Sequence, residues 1–136
     1  MTGYASNRFR HNCSAKGCYY ETLPDWTWME KVFPRGIMPT DIDGMVELNS
    51  HFLFIEQKRA GVGLESGGQG LAMKRLSKLP GVTVVLFRPA LTTPGGYQFL
   101  WIRDAKGSGW QDATLADFAV WLDLWCTNAL SDSQAA

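Results

Sequence analysis

The fold of this chain is set by one stretch, Pro39-Thr40-Asp41-Ile42-Asp43-Gly44-Met45-Val46-Glu47-Leu48-Asn49-Ser50-His51-Phe52-Leu53-Phe54-Ile55-Glu56-Gln57-Lys58. It predicts two short strands joined by the polar turn Asn49-Ser50. Because side chains alternate along a strand, Glu56 and Lys58 share a face at the end of the second strand. Asp41 and Asp43 likewise share a face of the first strand. We therefore expect carboxylates and an ammonium group to converge at one end of the hairpin, as in a metal site with a catalytic lysine.

Length and composition favour one globular domain. The 136 residues are 46% hydrophobic and 19% charged, as in ordinary globular proteins. No apolar run approaches the roughly 20 residues needed to span a bilayer, and the N-terminus lacks the apolar core of a signal peptide. Three cysteines are an odd number, which suits a reducing compartment. These features predict an intracellular, cytoplasmic protein with no membrane partner.

Charge is balanced overall but unevenly distributed. Thirteen basic and thirteen acidic side chains cancel, so net charge alone does not indicate a nucleic-acid partner. Basic residues nevertheless outnumber acidic ones between Glu56 and Arg88, whereas the chain after Asp104 is acidic. The basic middle predicts phosphate contacts near the hairpin, with an ordinary solvated surface as the alternative. The candidate nucleic-acid-binding residues are Arg59, Lys74, Arg75 and Lys78.

The N-terminal segment 1–22 is polar and has no hydrophobic periodicity. It contains a candidate zinc site made of His11, Cys13 and Cys18. No second pair of cysteine or histidine residues follows nearby, so free cysteines are the alternative interpretation. Zn²⁺ is therefore the weaker of the two metal predictions for this chain.

The remaining sequence alternates helical and extended patterns. A short helix is predicted over 23–33, and a second helix over 66–78 has Gln69 in its first turn. Strands are predicted at 82–87 and 97–102, the first of them central because it is apolar on both faces. A last helix opens at Thr114 with a pattern similar to a capping box.

The predicted element order, including the hairpin, is αββαββα. It indicates one compact α/β domain over residues 23–130, after the polar segment 1–22 and before a frayed tail, 131–136.

Several of these features together resemble the PD-(D/E)xK nuclease superfamily. They are Asp43, the run Glu56-Gln57-Lys58 after an apolar strand, and Gln69 at the start of the next helix. The segment 39–44 stands where that family has its Pro-Asp element, although the proline is not adjacent to Asp43 and Asp41 competes for the role. The resemblance covers roughly residues 25–105. It implies a restriction-endonuclease-like core, with a central mixed four-stranded sheet flanked by helices.

By this resemblance the chain is expected to be a Mg²⁺-dependent phosphodiester hydrolase, and specifically a deoxyribonuclease. The implied catalytic residues are Asp43, Glu56, Lys58 and Gln69. Mg²⁺, with Mn²⁺ as a substitute, would be held by Asp43, Glu56 and the backbone carbonyl of Gln57, with Asp41 and Glu30 as auxiliary ligands. Oxygen ligands suit such a hard cation, and Lys58 would orient a water molecule for attack.

The expected function is that of a DNA endonuclease, such as a small phage-encoded enzyme in a bacterial host or a junction-resolving homodimer. The alternative is a non-catalytic nucleic-acid-binding or protein-interaction domain on the same fold. The simplest structural explanation of the motif is an exposed ion pair between Glu56 and Lys58, with Asp41 and Asp43 capping a turn. Exposed pairs of this kind contribute only about 0–1 kcal/mol.

Overall fold

The computed structural model describes residues 25–63, 68–102 and 109–132. These residues belong to two compact units, one ending at Pro39 and the other beginning at Thr40. The candidate zinc ligands His11, Cys13 and Cys18 lie outside the described residues, as do the boundary predicted after residue 22 and most of the predicted tail. Those predictions therefore stay predictions.

The helix predicted over 23–33 is wrong for the residues from Asp25 onward. This part of the first unit instead forms two 3₁₀ turns, Thr27–Met29 and Pro34–Gly36. The Asp25 carboxylate accepts a hydrogen bond from the backbone N–H of Thr27 at 2.9 Å, which holds a tight turn. Aromatic and β-branched residues are weak helix formers, and a short helix without packing partners is marginal.

The second unit contains a mixed five-stranded sheet and two α-helices. Its elements are β1 (Gly44–Leu48), β2 (His51–Gln57), α1 (Gly68–Leu76), β3 (Val82–Pro89), β4 (Tyr97–Trp101), β5 (Gln111–Ala113) and α2 (Leu115–Ser131). The strands lie in the order β1-β2-β3-β4-β5. β2 and β3 are parallel, and the other neighbouring pairs are antiparallel. The α/β class is confirmed.

The predicted number of four strands is corrected to five by β5. This strand has three residues, with no alternation of apolar and polar side chains. It is defined by its antiparallel pairing with β4, in which Tyr97 lies opposite Ala113. Because that pairing is a long-range contact, periodicity could not have predicted the strand.

The hairpin of β1 and β2 is confirmed at the predicted turn. Asn49 and Ser50 both have positive φ, at 51° and 64°. Positive φ at both central residues is the requirement of a type I′ turn, whose twist matches that of the two strands. The register then places Leu48 opposite His51 and Gly44 opposite Ile55.

The sheet has an apolar cluster on each face, with β3 in the middle strand position. Phe54 and Leu86 lie in the cluster that includes Met73 of α1. Leu53, Val85 and Phe99 form the other cluster, against Phe118, Trp121, Leu122 and Trp125 of α2. The prediction that the 82–87 strand is central and covered on both faces is confirmed.

The two helices differ in how well local sequence explains them. The capping box of α2 is confirmed, since Thr114 and Asp117 exchange hydrogen bonds between side chain and backbone. On α1, Met73 is buried and Leu76 packs against the core, whereas Leu71 is exposed. Gly70 of α1 and Ser77, directly after this helix, are also buried, and a hydrophobicity pattern does not select them.

The connection from β2 through α1 to β3 places the charged ends of two strands together. Because β2 and β3 are parallel, α1 runs back across the sheet. Its first turn therefore lies at the end of the sheet where both strands have their C-terminal residues. Gln57 lies opposite Phe87 at that edge. In the ranges that the structure describes, no helix is both long and apolar enough to cross a membrane.

Candidate active site at the end of β2

Asp43 and the end of β2 are joined by two reciprocal hydrogen bonds. The backbone N–H of Asp43 donates to Oε1 of Glu56 at 3.1 Å. The backbone N–H of Gln57 donates to Oδ2 of Asp43 at 2.8 Å. Each carboxylate thus has one oxygen fixed by the backbone opposite it, and within the described residues Oδ1 of Asp43 and Oε2 of Glu56 have no hydrogen bond from the protein.

Glu56 is a buried carboxyl group in an unfavourable electrostatic environment. Its side chain is 3% exposed and lies on the same face of the sheet as Phe54. Burial raises the pKa of Glu56 above its ordinary value, because the charged form loses hydration. The hydrogen bond from Asp43 lowers this pKa, whereas the negative charges of Asp43 and Asp41 raise it further.

Lys58 is the cation that partly offsets this concentration of negative charge. Its positive charge lowers the pKa of Glu56, against the effects of burial and of the two aspartates. Its backbone N–H donates to the carbonyl of Phe87 at 2.8 Å, which extends the pairing of β2 with β3. Lys58 is half-buried, and its charge acts on the carboxylate of Glu56.

The oxygen donors at this position fit a hard divalent cation. Mg²⁺ is commonly held by one or two carboxylates, together with water and substrate phosphate. Asp43 and Glu56 supply two such carboxylates, with Asp41 close enough to affect Glu56 electrostatically. Among the described residues, no group of three or more acidic, histidine or cysteine side chains is arranged to hold a metal. Two carboxylates would leave the other ligand positions of such a cation to water and substrate.

The remaining predicted site residues have different positions. Gln69 lies in the first turn of α1, but its side chain is outside the described part of the chain. Glu30 belongs to the first compact unit, after the turn Thr27–Met29. The roles of Gln69 and Glu30 stay predictions.

The predicted basic residues divide between two ends of the sheet. Arg59 is exposed and directly follows Lys58. Lys74, Arg75 and Lys78 are exposed at or just after the last turn of α1. At a rise of about 1.5 Å per residue, α1 is about 13 Å long, so these three lie toward the start of β3, away from Glu56.

Sequence reasoning missed an arginine network at the same edge as Glu56. Arg88, near the end of β3, donates to Gln98 and to the carbonyl of Val62, and its guanidinium lies over the ring of Trp110. Arg88 had entered the prediction only as part of the basic segment. One available signal was that Arg88 follows an apolar strand as Lys58 does, since parallel strands end at a common edge.

Comparison of the chain with protein-family models, curated proteins and solved structures finds no match.

Proposed function

We propose that this protein is a divalent-metal-dependent nuclease that hydrolyses phosphodiester bonds in DNA. The observation that carries the proposal is the buried carboxylate of Glu56, held against Asp43 with Lys58 beside it. A buried carboxylate next to further negative charge is destabilising unless something compensates it. A bound cation supplies that compensation, so the arrangement has a functional explanation that an exposed ion pair lacks.

Each side chain of the site has a defined task in this proposal. Asp43 and Glu56 would hold the cation through the oxygens that the backbone does not engage, with the Gln57 carbonyl as a third ligand. When bound, the cation supplies a more acidic water and neutralises charge at the scissile phosphate. Lys58 orients the attacking water and stabilises the negative charge that develops on the phosphate oxygens.

The order of elements around the site supports a restriction-endonuclease-like fold. The hairpin β1–β2, the crossover helix α1 and the parallel strand β3 follow the strand-strand-helix-strand order of that core. The expected acidic residue comes just before β1, and the Glu-x-Lys run ends β2. A preceding α-helix is not found among residues 25–39, so support from the fold begins at the hairpin.

Cleavage assays with metal controls test the proposal directly. Supercoiled, linear, single-stranded and four-way-junction DNA are incubated with the protein in Mg²⁺, in Mn²⁺ and in EDTA. We expect cleavage that EDTA abolishes and that Lys58→Ala reduces by about 100-fold or more. Inactivity of the wild-type protein on all four DNA substrates would refute the proposal, and cleavage of RNA alone would change the substrate.

Metal binding supplies a second readout that does not depend on substrate choice. A cation that binds only the folded state raises the melting temperature. We expect Mg²⁺ or Mn²⁺ to raise the melting temperature of the wild type but not that of a variant with both Asp43→Asn and Glu56→Gln. Asp123→Asn, an exposed change in α2, controls for the loss of a surface carboxylate.

A non-catalytic protein-interaction domain is the second candidate, and one observation favours it. Val120, Leu124 and Leu130 of α2 are 57–64% exposed, although the helix packs its other side on the sheet. Partner binding through this surface would be lost in Val120→Ser with Leu124→Ser, whereas DNA cleavage would not. The two candidate functions can therefore be separated with the same purified protein.

A further inference from the structure

Arg88 lies on the same face of the sheet as Glu56, and both residues are near the C-terminal ends of their strands. β2 and β3 are parallel with Glu56 opposite Leu86, and side chains two residues apart share a face. Arg88 is therefore displaced from Glu56 by one strand and two residues. With strands about 4.8 Å apart and a rise of about 3.3 Å per residue, the two Cα atoms are about 8 Å apart. A group bound at Glu56 would therefore be within reach of the Arg88 side chain.

The guanidinium of Arg88 is held in one orientation by three contacts. Its Nε donates to Oε1 of Gln98 at 2.8 Å, and its Nη1 donates to the carbonyl of Val62 at 2.7 Å. Its central carbon lies 3.8 Å from the centroid of the Trp110 ring. Gln98 is itself fixed, because its Nε2 donates to Oδ1 of Asp112 at 2.9 Å. A side chain this restrained loses little conformational freedom when it binds a ligand.

The partners of Arg88 orient its charge without neutralising it. Gln98 and the Val62 carbonyl are neutral acceptors, and within the described ranges no carboxylate forms an ion pair with Arg88. Arginine has five N–H donors, and these two bonds use two of them. The unused donors lie on Nη1 and Nη2, the part of a guanidinium that recognises phosphate in a bidentate manner.

We propose that Arg88 binds a backbone phosphate of the nucleic-acid substrate, next to the phosphate that is cleaved, and that Gln98 is the positioning residue that orients it. This inference rests on the proposed function and specifies how the site holds its substrate. The carboxylates of Asp43 and Glu56 repel a polyanion. The positive charge of Arg88, held close to them, therefore favours binding of the nucleic acid. Because Arg88 contacts a neighbouring phosphate, its contribution is to affinity more than to the chemical step.

Binding of a labelled DNA duplex, measured by fluorescence anisotropy in EDTA, tests the inference without cleavage. Loss of one charge-assisted contact should weaken binding roughly 10-fold in Arg88→Gln and lower the slope of log Kd against log salt by about 1. Lys31→Gln removes one exposed positive charge from the first compact unit and is the matched control. In Mg²⁺, Arg88→Gln should raise KM and leave kcat within about threefold of the wild type.

Two further variants separate recognition from folding. Arg88→Lys keeps the charge but loses the bidentate geometry, so it should restore the salt slope and only part of the affinity. Gln98→Ala should weaken binding less than Arg88→Gln does and should have no additional effect in the Arg88→Gln background. Melting temperatures of all variants, measured alongside, show whether the fold is retained. If Arg88→Gln does not fold, Arg88→Lys carries the test, and wild-type affinity in that variant would overturn the inference.

The outcomes distinguish this inference from the proposed nuclease function. Equal affinities and salt slopes for the wild type, Arg88→Gln and Arg88→Lys would overturn the role of Arg88, whether or not the protein cleaves DNA. An equal loss in Arg88→Gln and Lys31→Gln would also overturn it, because the effect would then be general electrostatics. Binding that depends on Arg88 without any cleavage would support the phosphate contact of Arg88 and refute the nuclease function. A wild type that does not bind DNA would overturn both.

Discussion

The polar side chains at the two ends of β2 have opposite electrostatic environments. At its start, Nε2 of His51 lies 2.9 Å from Oδ2 of Asp132, and the side-chain amide of Asn49 donates to the carbonyls of Ala129 and Asp132. At its end, Glu56 is buried, and two aspartates act on it with charge of the same sign. At the start of β2, hydrogen-bond donors meet acceptors, whereas at its end carboxylates of the same charge lie close together.

This difference distinguishes contacts that stabilise the fold from residues that we propose bind a ligand. The contacts of Asn49 and His51 connect the hairpin turn to the end of α2, and they need nothing from outside the chain. Burial, together with the nearby carboxylates, raises the pKa of Glu56 and so weakens the folded state at neutral pH. Changes at the start of β2 should therefore affect stability, and changes at its end should affect function.

The largest expected effect is the loss of cleavage in Glu56→Gln. Glutamine keeps the shape and can still accept the hydrogen bond from Asp43, but it removes the charge that would hold a cation. We expect the initial rate of DNA cleavage in Mg²⁺ to fall by about 100-fold or more. His51→Ala, the control at the other end of the strand, should keep wild-type activity. Equal losses in the two variants would contradict the comparison.

The second effect is the loss of stability in Asn49→Ala. This change removes two hydrogen bonds to the end of α2 and places alanine at a φ of 51°. We expect a loss of about 2 kcal/mol in the free energy of unfolding, measured in urea, with cleavage unchanged. Asn49→Gly tolerates the positive φ and loses only the hydrogen bonds, so it should be less destabilised than Asn49→Ala. A stability of Asn49→Ala equal to that of the wild type would mean that the turn is not anchored to α2.

A smaller effect is the dependence of stability on pH at Glu56. Because its pKa is raised above the ordinary 4.5, the folded protein binds this proton more tightly than the unfolded chain does. The contribution of Glu56 to stability is fully present below the ordinary pKa and is lost as pH rises through the raised pKa. The free energy of unfolding of Glu56→Gln should therefore increase relative to the wild type over this range and then level off.

Urea unfolding of both proteins at intervals from about pH 4, below the ordinary pKa, to neutral pH measures this difference. Asp123→Asn serves as the comparison for the loss of one exposed carboxylate. A difference between the wild type and Glu56→Gln that does not change with pH would show that burial of Glu56 does not control its titration.

The smallest effect is expected for the contact between His51 and Asp132 at the start of β2, which is an ion pair when the histidine is protonated. His51 and Asp132 have side chains that are 22% and 39% exposed, and pairs with this much solvent contact contribute only about 0–1 kcal/mol. His51→Ala should therefore reduce the free energy of unfolding less than Asn49→Ala does. A larger loss would make the ion pair, and not the asparagine, the main anchor of the turn.

Local chemistry explains what could be predicted from the sequence. The hairpin turn was predictable because two polar residues interrupt apolar strands, and both residues adopt positive φ. The start of α2 was predictable because Thr114 and Asp117 satisfy each other's backbone groups within one turn. The convergence of Asp43 and Glu56 followed from strand alternation and from the register of the hairpin.

The features that were missed depend on contacts between distant parts of the chain. β5 is defined by its pairing with β4, and the inward face of α1 is defined by the sheet beneath it. The Arg88 network joins β3 to Gln98, Trp110 and Asp112, each in a later part of the chain. The turns after Asp25 replaced a predicted helix because the local sequence is weak in helix formers.

The order of the strands in the sheet has a consequence for how the chain folds. Each strand lies beside its neighbours in sequence, from β1 to β5, so most pairing closes short loops, and short loops close quickly. The hydrogen bond from Asn49 to Ala129 instead spans 80 residues. We expect the sheet to assemble early from local pairs, and the docking of the end of α2 on the hairpin turn to be a late step. The strand end that bears Glu56 would then form before the chain is fully closed.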